Sequence, residues 1–204
     1  KYNLKRQIVF IKGSGVDLKK FKPSKLTKKK LVILPSRVLK EKGITEFILA
    51  ADILKKEFPE WHFLIVGALD YSKQSSYSKR ELFKLNKNKS VIFKGYEKNI
   101  LKYYKIASIV CLPSYREGLS KTLSEAAACG IPIVTTNVIG CKNAVISDKT
   151  GFLCKPKDHL SLKNKLRILI KNKNLRDKFG VNAHNFAIRN FDVNNVISKN
   201  LKNY

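Results

Sequence analysis

Short apolar segments alternate with longer amphipathic segments along most of the chain. Five runs of five or six residues are largely hydrophobic and bounded by turn residues, at 31–35, 62–67, 90–94, 108–112 and 131–135. Such runs are typical of strands buried on both faces of a parallel sheet. Between them, 44–58, 97–107 and 119–129 carry helical patterns. This alternation predicts an α/β fold, with a Rossmann-like parallel sheet and helices on both faces.

The end of the chain has a different pattern, with no further buried strand predicted. Leu, Ile and Phe recur at helical spacing in 158–171, 173–190 and 192–203, with lysines on the other face, and predict a helical C-terminal end. We predict two parts: an initial strand and connector over residues 1–30, and a Rossmann-like domain with closing helices over residues 31–204.

The chain is strongly basic, with 42 Lys and Arg against 15 Asp and Glu and a net charge of +27. Lysine supplies 35 of the 42 and is dispersed, without the interleaved aromatic residues of a nucleic-acid stacking surface. We therefore expect no nucleic acid partner, although the charge keeps that alternative open. No apolar run reaches the roughly 18 residues of a membrane span, so we expect at most peripheral contact with an anionic membrane.

Cysteine and methionine usage give two further expectations. The four cysteines (Cys111, Cys129, Cys141 and Cys154) form no C-x-x-C pair and have no histidine cluster beside them. We therefore expect no metal or cofactor, and a reduced, cytoplasmic protein. The chain contains no methionine, so we expect further sequence before Lys1.

Ligands of parallel sheets bind at the carboxyl ends of the strands. Residues 113–130 follow such a strand end and are therefore candidates for a binding site. A predicted strand ends at Pro113, and a polar loop carries Glu117 into a helix that contains Glu125. Backbone N–H groups at the start of this helix suit a phosphate, and these two carboxylates could hold a sugar and a ribose. The residues that would offer such N–H groups include Gly118, Leu119 and Ser120. Alternatively, Glu117 complements the helix dipole and Glu125 is a solvated residue of the helix. However, the run Ala126–Ala128 indicates a tightly packed helix face, on which a carboxylate without a partner is unexpected.

A second candidate group follows the first predicted strand. Arg37 and Lys42 lie in the loop that leads into the next helix, where two cations could neutralise a diphosphate. Taken alone, they could equally be a solvated basic loop. Gly67, after the second strand, is consistent with a nucleobase or phosphate packed against backbone, or with a simple turn.

The segment PSYREGLSKTLSEAAACGIPIVTTNVIG resembles the signature of glycosyltransferase family 4, retaining enzymes of the GT-B fold. Glu117 and Glu125 match the family's pair of glutamates with seven residues between them, and SRVLKEKGI resembles its G-R-L-x-x-x-K-G segment. Ser36 departs from the usual glycine there, and Ser120 stands where proline is frequent. The resemblance covers nearly the whole chain.

The resemblance implies roles for these residues. Arg37 and Lys42 would bind and stabilise the donor diphosphate, Glu117 would contact the donor sugar, and Glu125 would contact the ribose. The chain would then be one half of a GT-B enzyme, binding a UDP-linked sugar, with an N-terminal acceptor domain missing and a lipid-linked or polysaccharide acceptor. A non-catalytic remnant or adaptor that keeps the fold is the alternative.

Overall fold

A computed structural model describes the backbone of residues 15–201 and the side chains of residues 15–198. Its strands are β1 Leu31–Pro35, β2 His62–Val66, β3 Val91–Phe93, β4 Ile109–Leu112, β5 Ile133–Thr136 and β6 Gly151–Cys154. Its helices are α1 Ile44–Glu57, α2 Lys79–Leu85, α3 Leu101–Ile106, α4 Lys121–Ala128, α5 Ile139–Lys142, α6 His159–Lys171, α7 Lys173–Phe191 and α8 Val193–Leu201. A 3-10 turn, Lys40–Lys42, precedes α1. The predicted initial strand lies outside the described residues.

The six strands form one parallel sheet in the order β3-β2-β1-β4-β5-β6. Ile33 of β1 stands between Leu64 of β2 and Val110 of β4. The chain therefore builds the sheet outward from β1 in one direction and from β4 in the other. The loops after β1 and β4 diverge at this reversal and leave the crevice in which ligands of doubly wound sheets bind.

Both faces of the sheet are covered. Every residue of β1, β4 and β5 is buried, although successive side chains in a strand point to opposite faces. The crossovers from β1 to β2 and from β4 to β5 run in opposite directions, so right-handed connections place α1 and α4 on opposite faces. Helix α1 packs against α6, and α4 packs against α7. The predicted Rossmann-like architecture is confirmed.

Most predicted elements match, and the differences have local causes. The five predicted strands are present within two residues at each end. β6 was not predicted, because its four residues include Gly151 and lie directly before the helical region. Helix α2 was also missed, because Leu82 is its one buried residue and the segment has no apolar stripe to predict a helix. A capping box between Ser78 and Glu81 defines the start of this helix. Helix α3 begins only at Leu101, four residues later than predicted.

Candidate functional site

The first arm of the candidate site is the loop between β1 and α1, which carries Arg37 and Lys42. The backbone N–H groups of Ser36 and Val38 donate hydrogen bonds to the end of β2 and to the residues just after it. These bonds hold the start of the loop in place. Gly43 ends the 3-10 turn with a left-handed φ of 71°. A Cβ there would lie 2.1 Å from the carbonyl oxygen of Pro113. Glycine is therefore required both by conformation and by contact with the loop after β4.

The second arm is the loop after β4, residues 113–120, which carries Glu117. It is fastened to the first arm by hydrogen bonds to the carbonyl oxygen of Glu41, from the Ser114 hydroxyl at 2.9 Å and the Tyr115 amide at 2.8 Å. The Tyr115 hydroxyl also bonds to the carboxylate of Glu46, a residue of α1 that is 8% exposed. These hydrogen bonds fix the position of the second arm relative to the first.

Lys42 and Glu117 meet where the two arms face each other. Lys42 Nζ lies 2.6 Å from Glu117 Oε1, and the two side chains are 19% and 13% exposed. Arg37 makes a second ion pair with Asp70, at 2.6 Å, and is more exposed. The structure therefore brings Arg37, Lys42 and Glu117 together at the carboxyl edge of β1 and β4.

These side chains line a small polar cavity of about 240 Å³. Its remaining polar lining comes from Ser36, Ser120, Lys121 and Thr122, and Leu119 also contributes. Ser120 is the N-cap of α4, but its side chain makes no capping hydrogen bond. The cavity therefore lies at a helix start with several cationic groups, which suits an anion.

Gly118 lies in the same loop and leaves space open. A Cβ at Gly118 would have no atom within 4 Å, so glycine here is not required by packing. Gly67 is different, because its Cβ would lie 1.8 Å from the carbonyl oxygen of Ser36. The absence of a side chain at Gly67 therefore accommodates the first arm, although Gly67 also lines a neighbouring cavity.

Glu125 lies in α4 and is 8% exposed, so it is not a solvated residue of a helix surface. Its Oε2 accepts a hydrogen bond from the hydroxyl of the fully buried Tyr104, at 3.3 Å. Burial raises the pKa of Glu125, while nearby Lys121 and the Tyr104 hydrogen bond oppose that shift. A buried carboxylate with one long hydrogen bond retains acceptor capacity for a ligand.

Glu125 faces the second, more apolar cavity, of about 430 Å³. Gly67, Tyr96, Ile100, Tyr104 and Thr122 are among the residues that line it, and Arg37 borders both cavities. Neither Asp70 nor Tyr104 was predicted as a site residue. Asp70 follows β2 closely and the strand-end rule could have found it, whereas nothing in the sequence marks Tyr104 as a neighbour of Glu125.

A larger cavity, of about 480 Å³, lies at the opposite edge of the sheet, where β4 and β5 begin. Several of its polar groups are already engaged within the protein. Lys28 donates to the carbonyl oxygen of Tyr104, Arg176 donates to two backbone carbonyls, and Nδ1 of His184 lies 2.8 Å from the carbonyl oxygen of Ala128. We therefore place the candidate site at the carboxyl edge, despite its smaller cavities.

Neither a metal site nor a membrane span is present among the described residues. Within residues 15–198, no three His, Cys, Asp or Glu side chains are grouped so that they could hold a metal ion, and all four cysteines are buried and unpaired. In the same part of the chain, no helix combines the length and hydrophobicity that a bilayer crossing requires.

Comparison with known proteins identifies relatives of the chain. The family described as "Glycosyl transferases group 1" matches residues 16–186. An N,N'-diacetylbacillosaminyl-diphospho-undecaprenol alpha-1,3-N-acetylgalactosaminyltransferase of Campylobacter jejuni is 30% identical over 97% of this chain and 54% of its own length. The capsular polysaccharide biosynthesis glycosyltransferase CapM of Staphylococcus aureus is 28% identical over 72% of this chain and 38% of its own. The chain thus spans about half the length, or less, of these relatives.

Solved structures share the fold. HepE of Anabaena in complex with UDP superposes with a TM-score of 0.82 at 23% identity, over 93% of this chain and 56% of HepE. The C-terminal domain of the group 1 glycosyl transferase LpcC of Francisella tularensis has a TM-score of 0.73 and 26% identity, over 87% of this chain and 99% of that domain. With a family match that covers most of its length, the chain belongs to the group 1 glycosyltransferases and has the GT-B type of Rossmann-like domain.

Proposed function

We propose that this chain is the donor-binding half of a retaining glycosyltransferase that uses a nucleotide diphosphate sugar, UDP-linked, as its donor. The observation that carries the proposal is the arrangement along one sheet edge. Arg37, Lys42 and Glu117 surround a polar cavity, and the buried Glu125 faces the adjoining apolar cavity. A nucleotide sugar has the same order of groups, with a nucleoside at one end, a diphosphate in the middle and a sugar at the other end.

The diphosphate fits the polar cavity. Arg37 and Lys42 supply positive charge there, and Gly118, Leu119 and Ser120 precede α4 with its unpaired backbone N–H groups. When the bond between the anomeric carbon and the diphosphate breaks, negative charge develops on the leaving phosphate oxygen. Arg37 and Lys42 would stabilise that charge more than the charge of the ground state, which is how such cations accelerate transfer.

The nucleoside fits the apolar cavity. Glu125 would accept hydrogen bonds from the two ribose hydroxyls, and Tyr104 holds its carboxylate in place. A base could then lie among Gly67, Tyr96 and Ile100. Glu117, on the other side of the diphosphate, would accept hydrogen bonds from hydroxyls of the sugar and orient it for transfer.

The acceptor and the rest of the enzyme are proposed from the relatives. The Campylobacter relative is named for a diphospho-undecaprenol acceptor, and CapM for capsular polysaccharide biosynthesis. We propose a lipid-linked or polysaccharide acceptor here, held by an N-terminal domain of the GT-B enzyme. The correspondence to the separate C-terminal domain of LpcC supports this division. The reaction would take place in the cytoplasm, with peripheral contact between basic residues and the anionic membrane surface.

Titration calorimetry with UDP-N-acetylglucosamine, UDP-glucose and UDP tests the donor site. We expect the chain to bind at least one of these compounds. Arg37→Ala and Glu125→Ala should each weaken binding about tenfold or more, because each removes a charge-assisted contact worth about 1.5–3 kcal/mol. Lys30→Ala is the matched control, since Lys30 forms an exposed ion pair with Glu60 away from the cavities. Absence of binding, or equal binding by all variants, would contradict the proposal.

A further inference from the structure

The ion pair between Lys42 and Glu117 occupies the space in which the diphosphate and the sugar would meet. Its two side chains are only 19% and 13% exposed, and its atoms are 2.6 Å apart. A pair so little exposed is screened less by water and salt than a surface pair. Any ligand that uses Lys42 must therefore compete with Glu117 for the ammonium group.

Among the described residues, Glu117 is also the single carboxylate that lines the polar cavity, where Arg37, Lys42 and Lys121 are the cations. A free nucleoside diphosphate ends in a phosphate that carries about 1.5–2 negative charges at neutral pH, because its second pKa is about 6. The sugar of a nucleotide sugar removes that second ionisation. It also adds hydroxyl groups that can donate to a carboxylate.

Resting on the function proposed above, we infer that Glu117 is a specificity-determining residue that favours the sugar donor over the free nucleoside diphosphate. With a donor bound, the sugar hydroxyls donate to Glu117 while Lys42 turns to the diphosphate. With the free diphosphate bound, Glu117 has no sugar hydroxyls to accept from and faces a more highly charged phosphate. Its carboxylate then repels the ligand and competes for Lys42.

This role gives Glu117 a part in product release. The nucleoside diphosphate left after transfer carries the full terminal phosphate charge and lacks the sugar. As that product leaves, Glu117 forms its ion pair with Lys42 again. The site thus returns to the arrangement in which these two side chains are paired. Removing the carboxylate should therefore strengthen binding of the product, although it weakens binding of the donor.

Calorimetric titration of the wild-type chain and Glu117→Gln, with UDP and with UDP-N-acetylglucosamine, tests the inference. We expect Glu117→Gln to bind UDP about fivefold to tenfold more tightly, because a negative charge beside the phosphate is lost. It should bind UDP-N-acetylglucosamine more weakly, by about tenfold. Glutamine has nearly the same shape, and thermal unfolding of both proteins verifies that the variant is folded.

Asp177→Asn is the matched control. Asp177 also forms an ion pair of 2.6 Å, with Lys173, but this pair is exposed on α7. That variant should leave both affinities unchanged, which separates a local effect from a change in overall charge. Equal or weaker UDP binding by Glu117→Gln, while the wild-type chain binds UDP, would overturn the inference alone. Failure of both proteins to bind either ligand would overturn the proposed function and the inference together.

Discussion

The hydroxyl oxygen of Tyr115 lies 2.7 Å from each carboxylate oxygen of Glu46. Tyr115 belongs to the loop after β4 and Glu46 to the first turn of α1, so the contact joins the two arms of the candidate site. Burial, together with the Glu46 carboxylate, raises the pKa of Tyr115 well above its usual range. The hydroxyl therefore stays protonated, and able to donate, further into the alkaline range than an ordinary tyrosine.

Replacing Tyr115 by phenylalanine should destabilise the protein. The substitution leaves the buried Glu46 carboxylate without this donor, and an unsatisfied buried group costs about 1–3 kcal/mol. Denaturant unfolding should show a lower midpoint with an unchanged m-value. Tyr71→Phe is the control, because Tyr71 is 66% exposed and its substitution should have little effect. Equal midpoints for both variants would mean that the contact with Glu46 stabilises nothing.

Replacing Glu125 by glutamine should stabilise the protein and weaken nucleotide binding. The pKa of Glu125 is raised by burial from its ordinary value of 4.5. The stability supplied by its neutral form is thus complete below the unfolded pKa and is lost as pH rises through the folded pKa. At pH 7 the buried, ionised carboxylate lowers the free energy of unfolding, and glutamine removes this penalty. Each kcal/mol gained should raise the melting temperature by about 2–4 °C.

The stabilisation by Glu125→Gln should also depend on pH, in a direction that follows from the same shift. It should be fully present above the raised pKa and vanish in acid, where wild-type Glu125 is itself neutral. Thermal unfolding from pH 4 to pH 8 measures this difference. An advantage for the variant that is constant over this range would show that ionisation of Glu125 is not its cause.

Alanine at Gly140 and alanine at Gly118 should differ in their effect on stability. A Cβ at Gly140 would lie 1.7 Å from the carbonyl oxygen of Gly118 and 2.2 Å from that of Glu117, so the loop must move. Gly140→Ala should lower stability by about 1–3 kcal/mol and impair donor binding as well. Gly118→Ala meets no atom within 4 Å and should leave stability unchanged.

Gly118→Ala should nevertheless weaken diphosphate binding if the phosphate approaches that stretch of backbone. Thermal unfolding and UDP titration of both variants provide the comparison. Normal stability with normal UDP affinity in Gly118→Ala would place the ligand elsewhere.

The net charge of +27 allows a test of membrane contact against nucleic acid binding. We expect the chain to sediment with vesicles that contain phosphatidylserine but not with neutral vesicles, because each well-placed basic residue contributes about 1 kcal/mol near an anionic surface. Binding should be lost in high salt. Tight, salt-dependent binding to duplex DNA without vesicle binding would instead favour the nucleic acid alternative.

The sequence allowed the sheet to be predicted because its central strands are buried on both faces and therefore continuously apolar. It also placed Arg37, Lys42, Glu117 and Glu125 near strand ends or in the following helix, where the geometry of parallel sheets predicts that they converge. The partner of Glu125 could not be predicted. The contact of Tyr104 with Glu125 depends on how α3 and α4 pack, and no local pattern records that packing.

Gly67 shows the same limit in another way. A glycine after a strand predicts close approach of some atom, but the sequence does not say which one. In the structure, the nearest atom to a Cβ there would be the carbonyl oxygen of Ser36, which belongs to the chain itself. β6 was missed because four residues that include a glycine give too little hydrophobic periodicity to distinguish a strand from a turn.

The reversal of strand order between β1 and β4 determines when the candidate site can form during synthesis and folding. Lys42 and Glu117 are 75 positions apart and meet only when β4 docks beside β1. On the ribosome, Arg37 and Lys42 emerge long before Glu117 and Glu125, and β1 must wait for β4, one of its two neighbours in the sheet. A nucleotide would therefore recognise only a chain in which β4 has paired with β1, so its binding would report that these two central strands have docked.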